Sequence, residues 1–283
     1  MLKCLPKYNF TFNPFIRYLS RNIGEFSGVN ILKREVPIIV SLSSVEEHFG
    51  DLELSLYAIF NQSVQADKII LWLSDEYELA ELPYSITRYI KNGLEIRFVE
   101  DKGVYNGIIY ALKEFESSII VYAKDDIIYP KDWLKKLYHS YIANPEDIHL
   151  HKTLRTIVNK NSTDLASVKE WIRFVTEEDS EFSNFILSEG GVLIPPKCFT
   201  KEVFREDIYK KNSPTSVDIW LWFMALVSGR KIRVVKNHIN TLTCTNIFRK
   251  LFGNDYKKNI KRYDEQIENL MNFYKQNIMQ KLS

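Results

Sequence analysis

Four apolar, β-branched runs dominate the first half of the chain, at 36–44, 67–76, 94–101 and 117–123. Runs of this length, closed by small or acidic residues, are predicted to be buried strands. The third alternates, with Leu94, Ile96 and Phe98 on one side. Between them the period changes. Leu52, Leu56, Ile59 and Phe60 recur at helical intervals, 84–93 reads as a short helix closed by Gly93, and 107–115 is helical again. Strand, helix, strand at this spacing predicts βαβ units: an α/β fold with a mostly parallel, twisted sheet flanked by helices on both faces.

Past residue 130 the pattern loosens. The stretch PKDWLKKLYHSYIANP is predicted to be a helix entered at Pro130, and DIHLHK a short strand. Residues 155–189 are polar and irregular and are expected to form mobile loops or a lid. EGGVLIPP is predicted as a strand bounded by glycines and prolines, 216–229 as a helix with Asp218 in its first turn, and RKIRVV as a last strand. An amphipathic helix is expected near the C-terminus.

Charge adds a contrast between ends and body. The net charge is +2, yet residues 1–34 carry six Lys or Arg against one Glu, and 246–283 carry eight against four acids. The body between is therefore acidic. Basic, aromatic-rich ends suggest contact with an anionic surface such as a bilayer, solvated arms being the alternative. The three cysteines are far apart, which argues against a disulfide scaffold or a zinc site. No apolar run reaches the ~20 residues a membrane span needs. The expected location is cytoplasmic, or peripheral on the inner face of the plasma membrane.

In parallel sheets ligands gather outside the carboxyl ends of the strands. That rim carries Ser43–Ser44, Asp75–Glu76, Glu100–Asp101 and, after the fourth strand, the adjacent acids Asp125–Asp126. Two neighbouring carboxylates there have three readings. They can hold a hard cation such as Mg²⁺ or Mn²⁺. They can act as an acid/base pair with divergent pKa values. Or Asp126 can simply cap the next helix. The chain has neither a GxxxxGK[ST] loop nor a GxGxxG, so a bound nucleotide would be held by strand-end loops and a metal. His149 and His151, spaced i, i+2, share one strand face; a metal site, an acceptor contact and ordinary packing stay open for them.

Four segments, in this order, resemble one family. VPIIVSLSS with the following helix and strand, IIVYAKDDIIYPKDWLKKLY, EGGVLIPPKCF and VDIWLWFMALVSGRKIRVV are together similar to bacterial GT-A-type glycosyltransferases, close to the family 2 enzymes of surface polysaccharide synthesis. The resemblance spans about 36–245. It implies a nucleotide-sugar-binding half at 36–150 and an acceptor half at 151–245, which leave the basic arm at 1–35 and the basic helical tail at 246–283 on either side. It further implies a sugar moved from a nucleotide-sugar donor to a hydroxyl of a glycan or lipid-linked glycan, by inversion, with Mn²⁺ or Mg²⁺ and no nucleic-acid partner.

Residue by residue, the resemblance assigns Asp126 to the metal and Asp125 and Lys124 to the donor. Ser43 and Asp75 go to the nucleotide, Asp218 to the catalytic base, and Gly190, Gly191 and Trp220 to the acceptor. Trp222, on the same helix, is a further candidate for sugar stacking, with core packing as the other reading. Asp218 sits where a helix dipole favours its ionised form. Four places depart from the family: Lys124 stands where the motif often has its first acid, Val217 where the helix often opens with another, His48 near a customary arginine, and the loop GVYNGIIY after the third strand lacks the usual lysines. Two rival readings accompany these departures. One is a non-catalytic nucleotide-sugar or glycan-binding protein on the same fold. The other is a nucleotidyltransferase, whose usual glycine- and lysine-rich loop is replaced here by an acidic one.

Overall fold

The computed structural model describes residues 28–159, 164–173, 179–239, 243–244 and 256–282. Its centre is an eight-stranded mixed sheet. β1 (Ile38–Ser43), β2 (Lys68–Ser74), β3 (Leu94–Val99) and β4 (Ile119–Tyr122) are mutually parallel, in the order β3-β2-β1-β4. The crossovers are α1 (Phe49–Phe60), the single turn α2 (Tyr84–Thr87) and α3 (Asn106–Glu114). Gly93 ends the second crossover at φ +101, a conformation that favours glycine.

The sheet continues past β4 through three later strands. After the hairpin strand β5 (Ile127–Ile128) come α4 (Trp133–Ala143), β6 (Ile148–Leu150) and β7 (Thr153–Arg155). Then follow β8 (Ile172–Arg173), β9 (Ser180–Glu181), β10 (Asn184–Ile186) and β11 (Val192–Ile194). β11 inserts antiparallel between β4 and β6. Beyond it lie α5 (Glu206–Asn212), α6 (Val217–Val227), β12 (Ile232–Val234), β13 (Thr243–Cys244) and α7 (Tyr256–Leu282). β12 is parallel to β6, β9 closes the edge antiparallel to β12, and β13 pairs with β5. One sheet thus runs through both of the expected halves.

Alternate residues feed two cores. Ile38, Val40, Leu42, Ile69, Leu71 and Val121 face α1 and α4. Ile39, Ile70, Trp72, Ile120, Tyr122 and Val192 face α3, α6 and α7. Because both faces are covered, the strands read as unbroken apolar runs. α6 is apolar on every side and is buried from Val217 to Leu226, Asp218 apart.

Two expectations change here. Residues 155–189 are not irregular where described, since β10, β7 and β8 form a small antiparallel sheet. It is fastened by the Arg155–Asp179 ion pair and by Trp171 and Phe185 packed on Trp222. Residues 160–163 and 174–178 of that stretch lie outside the described residues. At the other end, the helical part of 246–283 belongs to the body of the fold. α7 buries Ile267, Leu270, Met271, Tyr274 and Ile278 in the core shared with α6. Asp264 accepts from Ser167 and Val168, and Tyr274 donates to Glu202 at 2.8 Å. The basic stretch at 1–27 lies outside the described residues. Among the described residues no helix is long and apolar enough to cross a membrane.

Candidate functional site

The carboxyl ends of β1 and β4 lie side by side, Ser41 opposite Tyr122. β11 runs antiparallel, so its first residue Val192 also pairs with Tyr122. The chain entering β11, Ser188–Gly191, therefore reaches the same edge as Lys124–Asp126. The N-terminus of α6 arrives there too: the Ser188 N–H donates to Asp218 Oδ2 at 3.2 Å.

Asp125 is buried at this edge and held from the first loop. Its Oδ2 accepts from Ser44 Oγ at 2.7 Å and faces His48 Nδ1 at 2.8 Å. Burial opposes its ionisation, but the His48 contact, Lys124 and Ser44 outweigh burial and hold its pKa below the usual carboxylate value. An ionised carboxylate only accepts, so His48 Nδ1 carries the hydrogen. Ser55 Oγ donates to the Asp125 carbonyl at 2.7 Å, and the Lys124 N–H donates to Tyr129 Oη at 2.8 Å. The segment is thus pinned on both sides. Asp126 is half-buried, and its carboxylate takes part in no hydrogen bond among the described residues. It caps no helix: β5 follows it directly, and α4 begins only after Asp132.

Lys124 occupies the middle of the acids. Tyr122, then Asp126, Asp125 and Asp218, hold its ammonium above the ordinary lysine range despite burial. Asp218 is half-buried, with Oδ1 sealed from solvent and accepting no hydrogen bond. Burial raises its pKa, although Ser188 and Lys124 pull the other way. This corrects the dipole argument: desolvation outweighs the first-turn position. Its charge also reaches Tyr105, Tyr122 and, from α7, Tyr263. Sequence reasoning gave no role to Ser44, Tyr105 or Tyr263, and only loop proximity marked His48.

A divalent cation fits this set poorly. The Lys124 ammonium already carries positive charge close to the carboxylates, and one oxygen of Asp125 is taken by Ser44 and His48. Among the described residues no three His, Cys, Asp or Glu side chains form a metal-binding group.

The remaining candidates separate. Ser43 ends β1 against α3, where a Cβ on Gly107 would meet its backbone nitrogen at 2.9 Å. Asp75 stays exposed at the end of β2, with β1 between it and the Asp125 segment. The glycines serve the protein's own packing. Gly191 has φ +78, and a Cβ on it would lie 2.4 Å from the Trp133 indole. The Gly190 carbonyl accepts from Trp133 Nε1 at 2.7 Å. Trp133 in turn stacks on Tyr129 at 4.1 Å, tying the β11 approach to the acidic segment.

Trp220 is not an acceptor platform. It is fully buried, donates to the Val203 carbonyl at 3.0 Å and packs between Tyr209 and Tyr274. Trp222 is equally buried and donates to the Phe182 carbonyl at 3.2 Å.

The histidine pair is satisfied packing. His149 Nε2 donates to the Asn144 carbonyl at 3.0 Å, and its Nδ1 lies 2.9 Å from Ser140 Oγ. His151 Nε2 donates to the Trp133 carbonyl at 3.1 Å, and its Nδ1 accepts from the Ile239 N–H at 3.2 Å. Burial pushes their pKa values down to about 4 and about 3. Folded, both stay neutral where the unfolded chain would bind protons. Stability should therefore fall as pH drops below about 6.5, by about 2 kcal/mol per histidine at pH 5. Urea midpoints at pH 7.5 and pH 5 test this: the wild-type midpoint should drop, and a double His149→Gln, His151→Gln variant should show a smaller drop. Equal drops in both proteins would count against it.

No protein-family model matches the chain, and no curated protein matches it.

Proposed function

We propose that the chain is a GT-A-type glycosyltransferase, moving a sugar from a nucleotide-sugar donor to a hydroxyl of a glycan acceptor. The observation that carries this reading is the convergence of Lys124–Asp126 and Asp218, distant in sequence, at the carboxyl edge of one sheet. Ligands of open α/β sheets gather at such an edge. Tyr263 of α7, half-buried beside Asp218, offers an aromatic wall of the kind sugar rings pack against, in place of Trp220.

The chemistry follows from the charges. A direct displacement needs a base at the acceptor hydroxyl and positive charge at the departing diphosphate. Asp218, with one free oxygen and a raised pKa, is suited to receive the proton as the acceptor oxygen bonds to the anomeric carbon. The bond from that carbon to the diphosphate oxygen breaks on the opposite side, which inverts the centre. Holding donor and acceptor in line supplies much of the remaining acceleration.

Thermal shift against a panel of nucleotide-sugars tests the reading. A true donor at a hundredfold its dissociation constant should stabilise the fold by about 2.7 kcal/mol. It should also release nucleoside diphosphate when a glycan acceptor is added. Binding without release over a broad acceptor panel would leave a binding protein, and no stabilisation by any member would end the proposal.

A further inference from the structure

We infer that the Lys124 side chain takes the part a divalent cation would play, so that the donor's diphosphate is bound, and its charge met on departure, without metal. The inference rests on the glycosyl-transfer reading of the same site. Four observations support it. Lys124 follows β4 with only Ala123 between, at the sheet edge reached by β1 and β11 on either side of β4. Its backbone is fixed, because its own N–H is held by Tyr129 and the next carbonyl by Ser55. The neighbouring acids are not equally free to take a metal, since Asp125 is engaged by Ser44 and His48. Asp126 and the Oδ1 of Asp218, by contrast, have no hydrogen-bond partner among the described residues.

Charge decides between ammonium and metal. A dication placed here would be drawn to Asp126 but repelled by the nearby Lys124 ammonium, partly out of water. A diphosphate meets the reverse situation. Lysine offers three donors on a compact charge and binds phosphate as a point charge. In the transfer step the bond between the anomeric carbon and the β-phosphate oxygen breaks, and its electron pair stays on that oxygen. The Lys124 ammonium meets this charge while the acceptor proton passes to Asp218. The charge of Asp126 favours the ammonium form of Lys124, and on this inference Asp126 ligates no metal.

The test titrates the full chain with UDP, GDP, ADP and dTDP by calorimetry, once in EDTA and once in Mn²⁺. One nucleotide is expected to bind in EDTA with an affinity Mn²⁺ does not improve. Lys124→Met should weaken that binding by about 10- to 100-fold, the worth of a charge-assisted hydrogen bond. Lys124→Arg should keep metal-free binding. Lys124→Asp should lose binding in EDTA and regain it with Mn²⁺. A wild-type protein that binds only with Mn²⁺ overturns the inference and leaves the transferase reading standing. So does a folded Lys124→Met variant that binds as the wild type does. If none of the four nucleotides binds in either buffer, the transferase reading falls and this inference with it. Should Lys124→Met fail to fold, the wild-type comparison and Lys124→Asp still decide.

Discussion

Asp218→Asn should lower transferase turnover by about 10²–10⁴-fold, the contribution of a positioned general base, while nucleotide binding and folding hold. Asparagine keeps the shape of the side chain. Its carbonyl can still accept the Ser188 N–H that orients Asp218. What it loses is the capacity of the free Oδ1 to take a proton. The raised pKa gives the prediction a pH signature. A base must be ionised, so wild-type turnover should climb with pH through the elevated pKa of Asp218, and that limb should vanish in the variant. Stability has the opposite sign. A carboxyl whose folded pKa is raised stabilises best below its unfolded value of about 3.9 and loses that advantage as pH rises through the folded value. At neutral pH the asparagine should therefore leave the melting temperature unchanged or slightly higher. A first-turn acid that merely complements the helix dipole predicts the reverse: a lower melting temperature and nearly intact turnover. A variant keeping a third or more of wild-type turnover would remove Asp218 from the chemistry.

The parallel half of the sheet was legible because burial on both faces writes β1 to β4 as continuous apolar runs. Their order fixed the rim, and the rim pointed to Asp125, Asp126 and, through the resemblance, Asp218. Other features depend on contacts that sequence spacing cannot encode. Ser44 and Asp125 are 81 positions apart and meet only because β1 and β4 are neighbours. β7, β8 and β10 are two or three residues long, too short for a period to emerge. Gly190 and Gly191 were assigned to the acceptor by resemblance, whereas Trp133 and the Lys152 backbone are what a Cβ at these positions would meet. Capping, one of the three readings open for Asp126, fails because a two-residue strand stands between it and the next helix.

Trp220 is the clearest misreading, and Trp220→Ala is the second large effect expected. The signal against a sugar platform was present in the sequence: a helix apolar all round has no face left for solvent or substrate. Helical rotation adds to it. Two residues along a helix of 3.6 per turn is a turn of about 200°, so Trp220 points away from the side on which Asp218 meets Ser188. There it packs against Tyr209 of α5 and Tyr274 of α7, and its indole N–H satisfies the Val203 carbonyl. Truncation to alanine leaves a large cavity and an unpaired buried carbonyl, costing about 3–5 kcal/mol. At roughly 2–4 °C per kcal/mol for chains near this size, the melting temperature should fall by on the order of 10 °C. Trp220→Phe, which fills most of the volume but cannot donate, should cost distinctly less. Kinetics separate core from platform. A core role predicts an unchanged acceptor KM in whatever protein remains folded at low temperature. A stacking role predicts a KM that rises in both variants with little loss of stability, and that pattern would restore Trp220 to the acceptor site.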